Sequence, residues 1–204
     1  MHAPELAPFP DRLRLPFDFD PERLSADLAA LSDVPWTRHF VQQNYEGEWS
    51  AIALRAPKGA QHPIQMFVSN PGTSEYVATP FLDAAPYLRS LLGEFECALL
   101  AVRLMRLGPG SVIKEHSDHD LSFEQGTVRV HIPVLTNDRV DFRLNGTRCV
   151  MPAGSIWYLR LSDRHSVANQ GTTDRVHMVI DAAVNDWVKD LFTRAIGTES
   201  GQAA

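Results

Sequence analysis

"TVRVHIPVLTNDRVDFRLNGTRCVMPAGSIWYLRL", Thr127 to Leu161, is the stretch whose reading decides the fold. It breaks into the runs "TVRVHIPVLT", "VDFRLNG", "RCVMPAG" and "SIWYLRL", with "TNDR", "LNGT" and "PAGS" at the joints. Branched and aromatic side chains suit a pleated surface, and Asn, Asp, Gly and Pro suit the turns between strands. The same texture extends both ways. "CALLAVRLMRL" precedes it, and "HSVANQ" and "RVHMVIDAAV" follow, punctuated by "GPGS", "EQG" and "NQGTTD". Many short strands at this spacing predict an antiparallel sandwich or barrel.

Outside this region the pattern changes. Residues 1–20 are proline-rich and read as irregular. "DPERLSADLAALSDV" predicts a helix: Asp20 is a good N-cap, Pro21 suits the first helical position, and Leu24, Leu28 and Leu31 recur at helical spacing. Trp36 to Asn70 reads as strand, notably "WSAIALRAP" and "IQMFVSN". "TPFLDAAPYLRSLLGEF" is helical, with Leu88, Leu91 and Leu92 on one face. "AVNDWVKDLFTRAI" is a closing helix that should pack Trp187, Leu191 and Ile196 on the body, and the tail "GTESGQAA" has the composition of a disordered end. The whole is expected to be one domain over 1–204. Residues 1–95 support it and form the substrate entrance, with Trp49, Gln65 and Asn70 as candidates. Residues 96–185 are the β core, and 186–204 the last helix and tail.

Composition narrows the function classes. At 204 residues the chain is long enough for one full hydrophobic core. A net charge of −6 and no basic stripe exclude an ordinary nucleic-acid binder. No apolar run reaches the ~20 residues of a membrane span. The first residues lack a basic start followed by an apolar stretch, so the cytoplasm is the expected compartment. Cys97 and Cys149 lie on separate segments without CxxC spacing and read as buried free thiols.

The unusual residues fall on four strand-like segments of the second half. "KEHSDHD" places His116 and Asp118 two apart, hence on one side of an extended segment. "RVHIP" does the same with Arg129 and His131, and "DRVHMVID" with Arg175 and His177. His165 stands in "DRHSVANQ". A polar face rich in His, Arg and Asp, alternating with Val and Ile, implies a polar cavity between two sheets. Two imidazoles and a carboxylate on one face of an octahedral ion are the ligand set of non-haem Fe(II) oxygenases, which leaves positions for a bidentate cosubstrate and O₂. From Asp118 to His165 there is room for about four strands, enough to return to the same mouth. Arg175 comes ten positions after His165. A buried guanidinium without a protein carboxylate needs an anionic ligand, and a dicarboxylate cosubstrate fits.

Blander readings stand beside these. H-x-D alone is a weak motif. His119 reads as solvent-facing and Asp120 as a turn or supporting residue. His177 reads as a core histidine satisfied by hydrogen bonds. Arg103 and Arg106 read as ion-pair residues, although Arg103 is also a candidate for the substrate. Trp157 and Tyr158 read as packing, and His2, His39 and His62 as surface. The cluster as a whole has two alternatives to an enzyme: a cupin-type metal-binding sandwich with a binding or sensing role, and polar filling of a barrel.

"RLGPGSVIKEHSDHD", "VRVHIPVLTN" and "MPAGSIWYLRLSDRHSVANQGTTDRVHMVID" resemble the aspartyl/asparaginyl β-hydroxylase family, which includes bacterial proline hydroxylases. The resemblance spans roughly residues 35 to 190 and is strongest over 100–185. It implies a mainly β, double-stranded β-helix (a cupin-like jelly roll) with flanking helices, and Fe(II) and 2-oxoglutarate as cofactors. It implies His116, Asp118 and His165 as iron ligands and Arg175 as the residue on the distal carboxylate of 2-oxoglutarate. Arg129 and His131 match the family's pair near the cosubstrate and the substrate carboxylate, with their division of labour open. Arg129, Arg103 and His177 are the candidate substrate contacts. The implied substrate is an amino acid, free or N-substituted, or a residue in a peptide. The chain keeps Asp118, as the family's bacterial amino-acid hydroxylases do and its vertebrate enzymes do not. It has Met105 where the vertebrate enzymes carry a serine against the cosubstrate. A carboxylate at 118 also argues against a halogenase.

Overall fold

The structure, a computed structural model, describes residues 8–62, 65–66 and 75–202. In chain order the strands are β1 (Arg12–Asp18), β2 (Thr37–Arg38), β3 (Tyr45–Glu46), β4 (Trp49–Pro57), β5 (Tyr76–Ala78), β6 (Leu99–Leu107), β7 (Val112–His116), β8 (Thr127–Leu135), β9 (Val140–Leu144), β10 (Thr147–Cys149), β11 (Ser155–Leu159), β12 (His165–Asn169) and β13 (Arg175–Ala183). The helices are α1 (Pro21–Ala30), α2 (Pro80–Asp83), α3 (Pro86–Leu92) and α4 (Asp186–Gln202).

A large sheet runs β1-β11-β8-β13-β6-β4-β2, with β5 on β4, and a small sheet runs β10-β9-β12-β7-β3. From β6 onward the chain crosses back and forth: β6, β8, β11 and β13 join the large sheet, and β7, β9, β10 and β12 the small one. Pairing within this core is antiparallel. This is a double-stranded β-helix.

The period of two fixes which side chains see the site. On β8, Val128, Val130, Ile132 and Val134 belong to the core beneath the helices, whereas Arg129 and His131 point between the sheets. On β13, Val176, Met178, Ile180 and Ala182 take the helix side and leave Arg175, His177, Val179 and Asp181 inward. α1 lies on β8, α2 on β4 and α4 on β1, so the helices cover the large sheet's outer face. A second core between the sheets, including Trp49, Met105, Leu107, Ile113 and Phe142, closes the space around the polar residues.

Local chemistry explains the elements. Asp20 caps α1 by accepting from the Glu22 and Arg23 amides at 2.9 and 3.3 Å. Buried Asp27 on α1 accepts from Leu88 N at 2.8 Å and so satisfies the first turn of α3. Asn145 and Gly146, with φ of 50° and 75°, form the two-residue turn from β9 to β10, where Asn-Gly is the favoured pair. Gly154 has φ 81°, and a Cβ there would lie 2.1 Å from the Phe19 carbonyl oxygen. Only glycine lets the chain before α1 pass so close to β11.

The structure corrects four expectations. Residues 12–18 are a strand, not irregular: Leu13 and Leu15 alternate inward, and Pro16 is tolerated because β1 is an edge. "IQMFVSN" is not a strand where it is described. Gln65 and Met66 are helical, their amides turning back to His62 O, and Asn70 lies outside the described residues. Ile196 is 37% exposed; α4 instead buries Val188, Leu191, Phe192 and Ala195, a true helical stripe, with Trp187 partly buried beside it. The helix continues to Gln202, through most of the tail expected to be disordered. Cys97 and Cys149 are free thiols, with Cys97 only partly buried. Among the described residues no helix is long and apolar enough to cross a membrane.

Candidate active site

A cavity of about 560 Å³ opens between the sheets, within the range of small-molecule sites. His116 ends β7, Asp118 follows in the turn, and His165 begins β12. Antiparallel pairing sets His165 directly opposite His116. One ligand atom from each of His116, Asp118 and His165 lies within 4.8 Å of the others. The loop geometry supports this: Asp118 N donates to Leu161 O at 2.8 Å, and Asp120 takes a left-handed φ of 63°.

Both imidazoles are oriented alike. His116 Nδ1 lies 2.7 Å from Lys114 O and His165 Nδ1 3.0 Å from Asp163 O. A carbonyl only accepts, so each Nδ1 carries the proton and each Nε2 presents a lone pair. Burial lowers the pKa of His165 and favours the neutral, ligating form. Asp118 Oδ1 lies 3.6 Å from His116 Nε2, while Oδ2 accepts from Arg129 Nη1 at 2.6 Å. Two imidazole nitrogens and one carboxylate oxygen fit a divalent iron with open positions.

The cationic residues divide into two sets. Arg129 is committed to protein carboxylates: Nε and Nη2 bond both oxygens of Asp181 at 2.6 and 2.9 Å, and Nη1 holds Asp118. Arg103 Nη2 also donates to Asp181, at 2.6 Å, leaving its Nε without a partner. Burial alone would raise the pKa of Asp181; Arg129 and Arg103 outweigh it and hold the carboxyl at about 2. Arg175 differs. It is 3% exposed, donates from Nη2 to His177 Nδ1 at 2.8 Å, sits 5.8 Å over the Phe142 ring, and has an unpartnered Nε. Among the described residues no carboxylate lies within ion-pairing distance of it. Burial alone lowers its pKa to about 9, so it remains a cation at neutral pH.

The remaining sequence candidates fall as follows. His177 accepts from Arg175, so it is a neutral core histidine held by a hydrogen bond. His131 Nδ1 stands 3.4 Å from the same His177 nitrogen, and its buried Nε2 has no partner. Burial pushes both imidazoles well below their usual pKa. Met105 pairs with His177 across the sheet and lines the cavity. Trp49 lines it too, whereas Gln65 bonds back to the Gln61 and His62 amides. His119 and Asp120 are exposed at the rim. Arg106 lies over the Trp36 ring and 3.9 Å from Asp174. His62 is at the surface, and His2 lies outside the described residues.

His39 is the residue that sequence reasoning misplaced. It is not a surface histidine but part of the cavity wall, stacked on Trp49 at 3.6 Å and on Phe40 at 4.9 Å. The Val41 amide donates to its Nδ1 at 3.4 Å. Burial, reinforced by nearby Arg103, lowers its pKa to about 4, so it is neutral. The usable signal is aromatic density: "WTRHFVQQNYEGEW" carries Trp36, Phe40, Tyr45 and Trp49 around it. Asp181 was also missed, although it lies in phase with Arg175 and His177 along β13.

Comparison with known proteins agrees with this geometry. The sequence matches the Aspartyl/Asparaginyl beta-hydroxylase family over residues 20–184. It is 30% identical over 165 residues to an L-proline cis-4-hydroxylase from Rhizobium meliloti (strain 1021), covering 80% of this chain and 57% of that protein. The chain thus spans little more than half the length of this curated relative. An oxidoreductase of the 2OG-Fe(II) oxygenase family from Burkholderia pseudomallei superposes with a TM-score of 0.55 at 14% identity, covering 85% of each chain. A Pseudomonas putida prolyl-4-hydroxylase gives a TM-score of 0.51 at 11% identity, over 86% of this chain and 93% of that one. At such identities these two likenesses speak to fold alone. The family match spans both sheets and all three candidate ligands, and the chain belongs to the aspartyl/asparaginyl β-hydroxylase family.

Proposed function

We propose that the cavity is the active site of an Fe(II)- and 2-oxoglutarate-dependent dioxygenase that hydroxylates an unactivated C–H of an amino-acid-type substrate. The observation that carries this is Arg175. A buried guanidinium without a carboxylate partner is costly, and it faces the same cavity as the His116, Asp118 and His165 cluster. A pure metal binder or polar filling has no use for it. A dicarboxylate that reaches the metal at one end and Arg175 at the other accounts for both. When bound, iron and 2-oxoglutarate supply the oxidative chemistry: O₂ gives one oxygen atom to the substrate C–H and one to succinate, with release of CO₂.

The chain's residues do the rest. His116 and His165 offer neutral Nε2 atoms, their rings fixed by backbone carbonyls. Arg129, anchored by Asp181, fixes the carboxylate of Asp118. Arg175 binds the distal carboxylate of 2-oxoglutarate, with His177 fixing its guanidinium and the His131 ring packed beside it. Arg103 faces the substrate. The apolar residues between the sheets exclude water from the reacting carbon. An amino acid as substrate, in free, N-substituted or peptide form, agrees with the family and with the proline hydroxylase among its relatives.

The test is anaerobic. Fe(II) and then 2-oxoglutarate are added to the metal-free protein, and the visible spectrum is recorded. A charge-transfer band is expected in the parent and not in His165→Ala. Arg175→Ala should need about a hundredfold more 2-oxoglutarate, from the loss of charged hydrogen bonds worth ~3 kcal/mol. Iron binding without a band means a metal-binding sandwich that does not turn over 2-oxoglutarate. No iron binding means polar filling.

A further inference from the structure

The buried groups left unpaired around the cavity describe what the substrate must bring. Arg103 Nε, Arg175 Nε and Trp49 Nε1 are buried N–H groups without partners, and all three side chains line the cavity. Each can only donate. Arg175 is spoken for by the cosubstrate, which leaves Arg103 and Trp49. Both are more than nine-tenths buried. The charge points the same way. Arg103, Arg129 and Arg175 face two carboxylates, Asp118 and Asp181, a surplus of one positive charge. A divalent ion adds two, and the dianionic cosubstrate removes two. His177 accepts from Arg175 Nη2 and so adds no charge of its own. Of the acids that line the cavity, Asp118 is held by Arg129 and Asp120 sits in the exposed rim turn. Among the described residues no uncommitted buried carboxylate is placed to receive an ammonium group.

This inference rests on the function proposed above. We propose that the substrate is an amino acid whose nitrogen is acylated, not a zwitterionic free amino acid. Arg103 takes its carboxylate, and Trp49 Nε1–H donates to its acyl carbonyl oxygen. Besides the metal-facing imidazoles, His131 Nε2 is a buried nitrogen without a partner that can accept, and the amide N–H of an acylated primary amino acid serves it without added charge; acylated proline, a tertiary amide, leaves it unserved. An acylated amino acid with an uncharged side chain has net charge −1 and balances the loaded site; the corresponding zwitterion leaves the surplus in place and adds an ammonium to it. His39, held between Trp49 and Phe40, fixes the Trp49 ring and with it the direction of Nε1–H.

The test is calorimetric titration, without oxygen, of protein loaded with Mn(II) and 2-oxoglutarate. The ligands are L-proline, L-asparagine and L-leucine, each with its N-acetyl derivative. For the side chain that binds best, the N-acetyl compound should bind at least tenfold more tightly than its parent. Trp49→Phe keeps an aromatic ring and removes the donor; it should narrow that ratio by about three- to tenfold, the range of one hydrogen bond. Equal or tighter binding of the free amino acid overturns the inference, as does binding of no compound in the panel to protein that has taken up 2-oxoglutarate. An unchanged ratio in Trp49→Phe overturns the role of Trp49. Failure to take up 2-oxoglutarate at all sinks the proposed function instead, so the two readings fail separately.

Discussion

Arg129 makes three hydrogen bonds to two carboxylates, and Asp181 receives two arginines in the protein interior. Such a network is stable only when complete, because removing one charge leaves its partners desolvated and unpaired. Asp181→Asn should therefore cost about 3–5 kcal/mol in chemical denaturation and also weaken iron binding, since Arg129 loses its anchor and pulls on Asp118. Unchanged stability would mean that water already reaches the pair. The arginines were visible in the sequence as R-x-H and R-x-H pairs on strands, and their inward direction followed from the period of two. Their commitments were not visible. Whether an arginine meets a protein carboxylate or awaits a ligand depends on which strands are neighbours, and β13 lies between β8 and β6 only in three dimensions. Hence Arg129 reads in sequence as a cosubstrate contact and in the structure as the support of Asp118, a candidate metal ligand.

At the scale of elements, legibility tracked local chemistry. The cap and proline of α1, the Asn-Gly turn and the strand runs from Leu99 onward were all written in short windows. β1 was not, because Pro16 and its proline-rich surroundings masked the alternation of Leu13 and Leu15. Its place depends on a long-range contact, where Phe19 N donates to Gly154 O at 2.9 Å. Gly154→Ala should destabilise the fold by about 2 kcal/mol or more, since the new Cβ meets a backbone oxygen at a left-handed φ. Thermal unfolding of the variant checks this, and a neutral result would place β1 farther from β11. α4 shows the converse error. Ile196 is hydrophobic yet partly exposed, and Val188, Leu191, Phe192 and Ala195 hold the buried stripe.

For the whole molecule, buried titratable groups set the response to pH. His39, His131, His165 and His177 are neutral when folded, with pKa values pushed below 6.5 by burial. The unfolded chain takes up protons there below about 6.5, so the metal-free protein should lose stability progressively as pH falls from 6.5 towards 4. Asp181 works lower down. Its folded pKa of about 2, against 3.8 ordinarily, adds roughly 2 kcal/mol above pH 4, and this is lost as pH falls through 2. Unfolding midpoints across this range check both, and a flat profile from pH 7 to 4.5 would contradict the burial of the histidines. Ligands should act in the opposite sense. Under anaerobic conditions, Fe(II) with 2-oxoglutarate at about a hundred times its Kd should add ~2.7 kcal/mol to stability, and Arg175→Ala should lose the 2-oxoglutarate share.

The two sheets divide the chemistry between them. All three candidate metal ligands come from β7, the turn after it and β12, on the small sheet, while Arg103, Arg129 and Arg175 stand on the large one. Under the proposed function, the spacing of the sheets is then a caliper for the cosubstrate. It fixes the span from metal to guanidinium, and it is locked by the apolar layer of Leu107, Ile113 and Phe142 that wedges the sheets apart. On that reading a four-carbon or a six-carbon oxo-diacid should bind more weakly than the five-carbon one. The dicarboxylate would then be measured by the thickness of the protein's own interior, and a substitution that thins this layer should shift chain-length preference without touching a single polar residue.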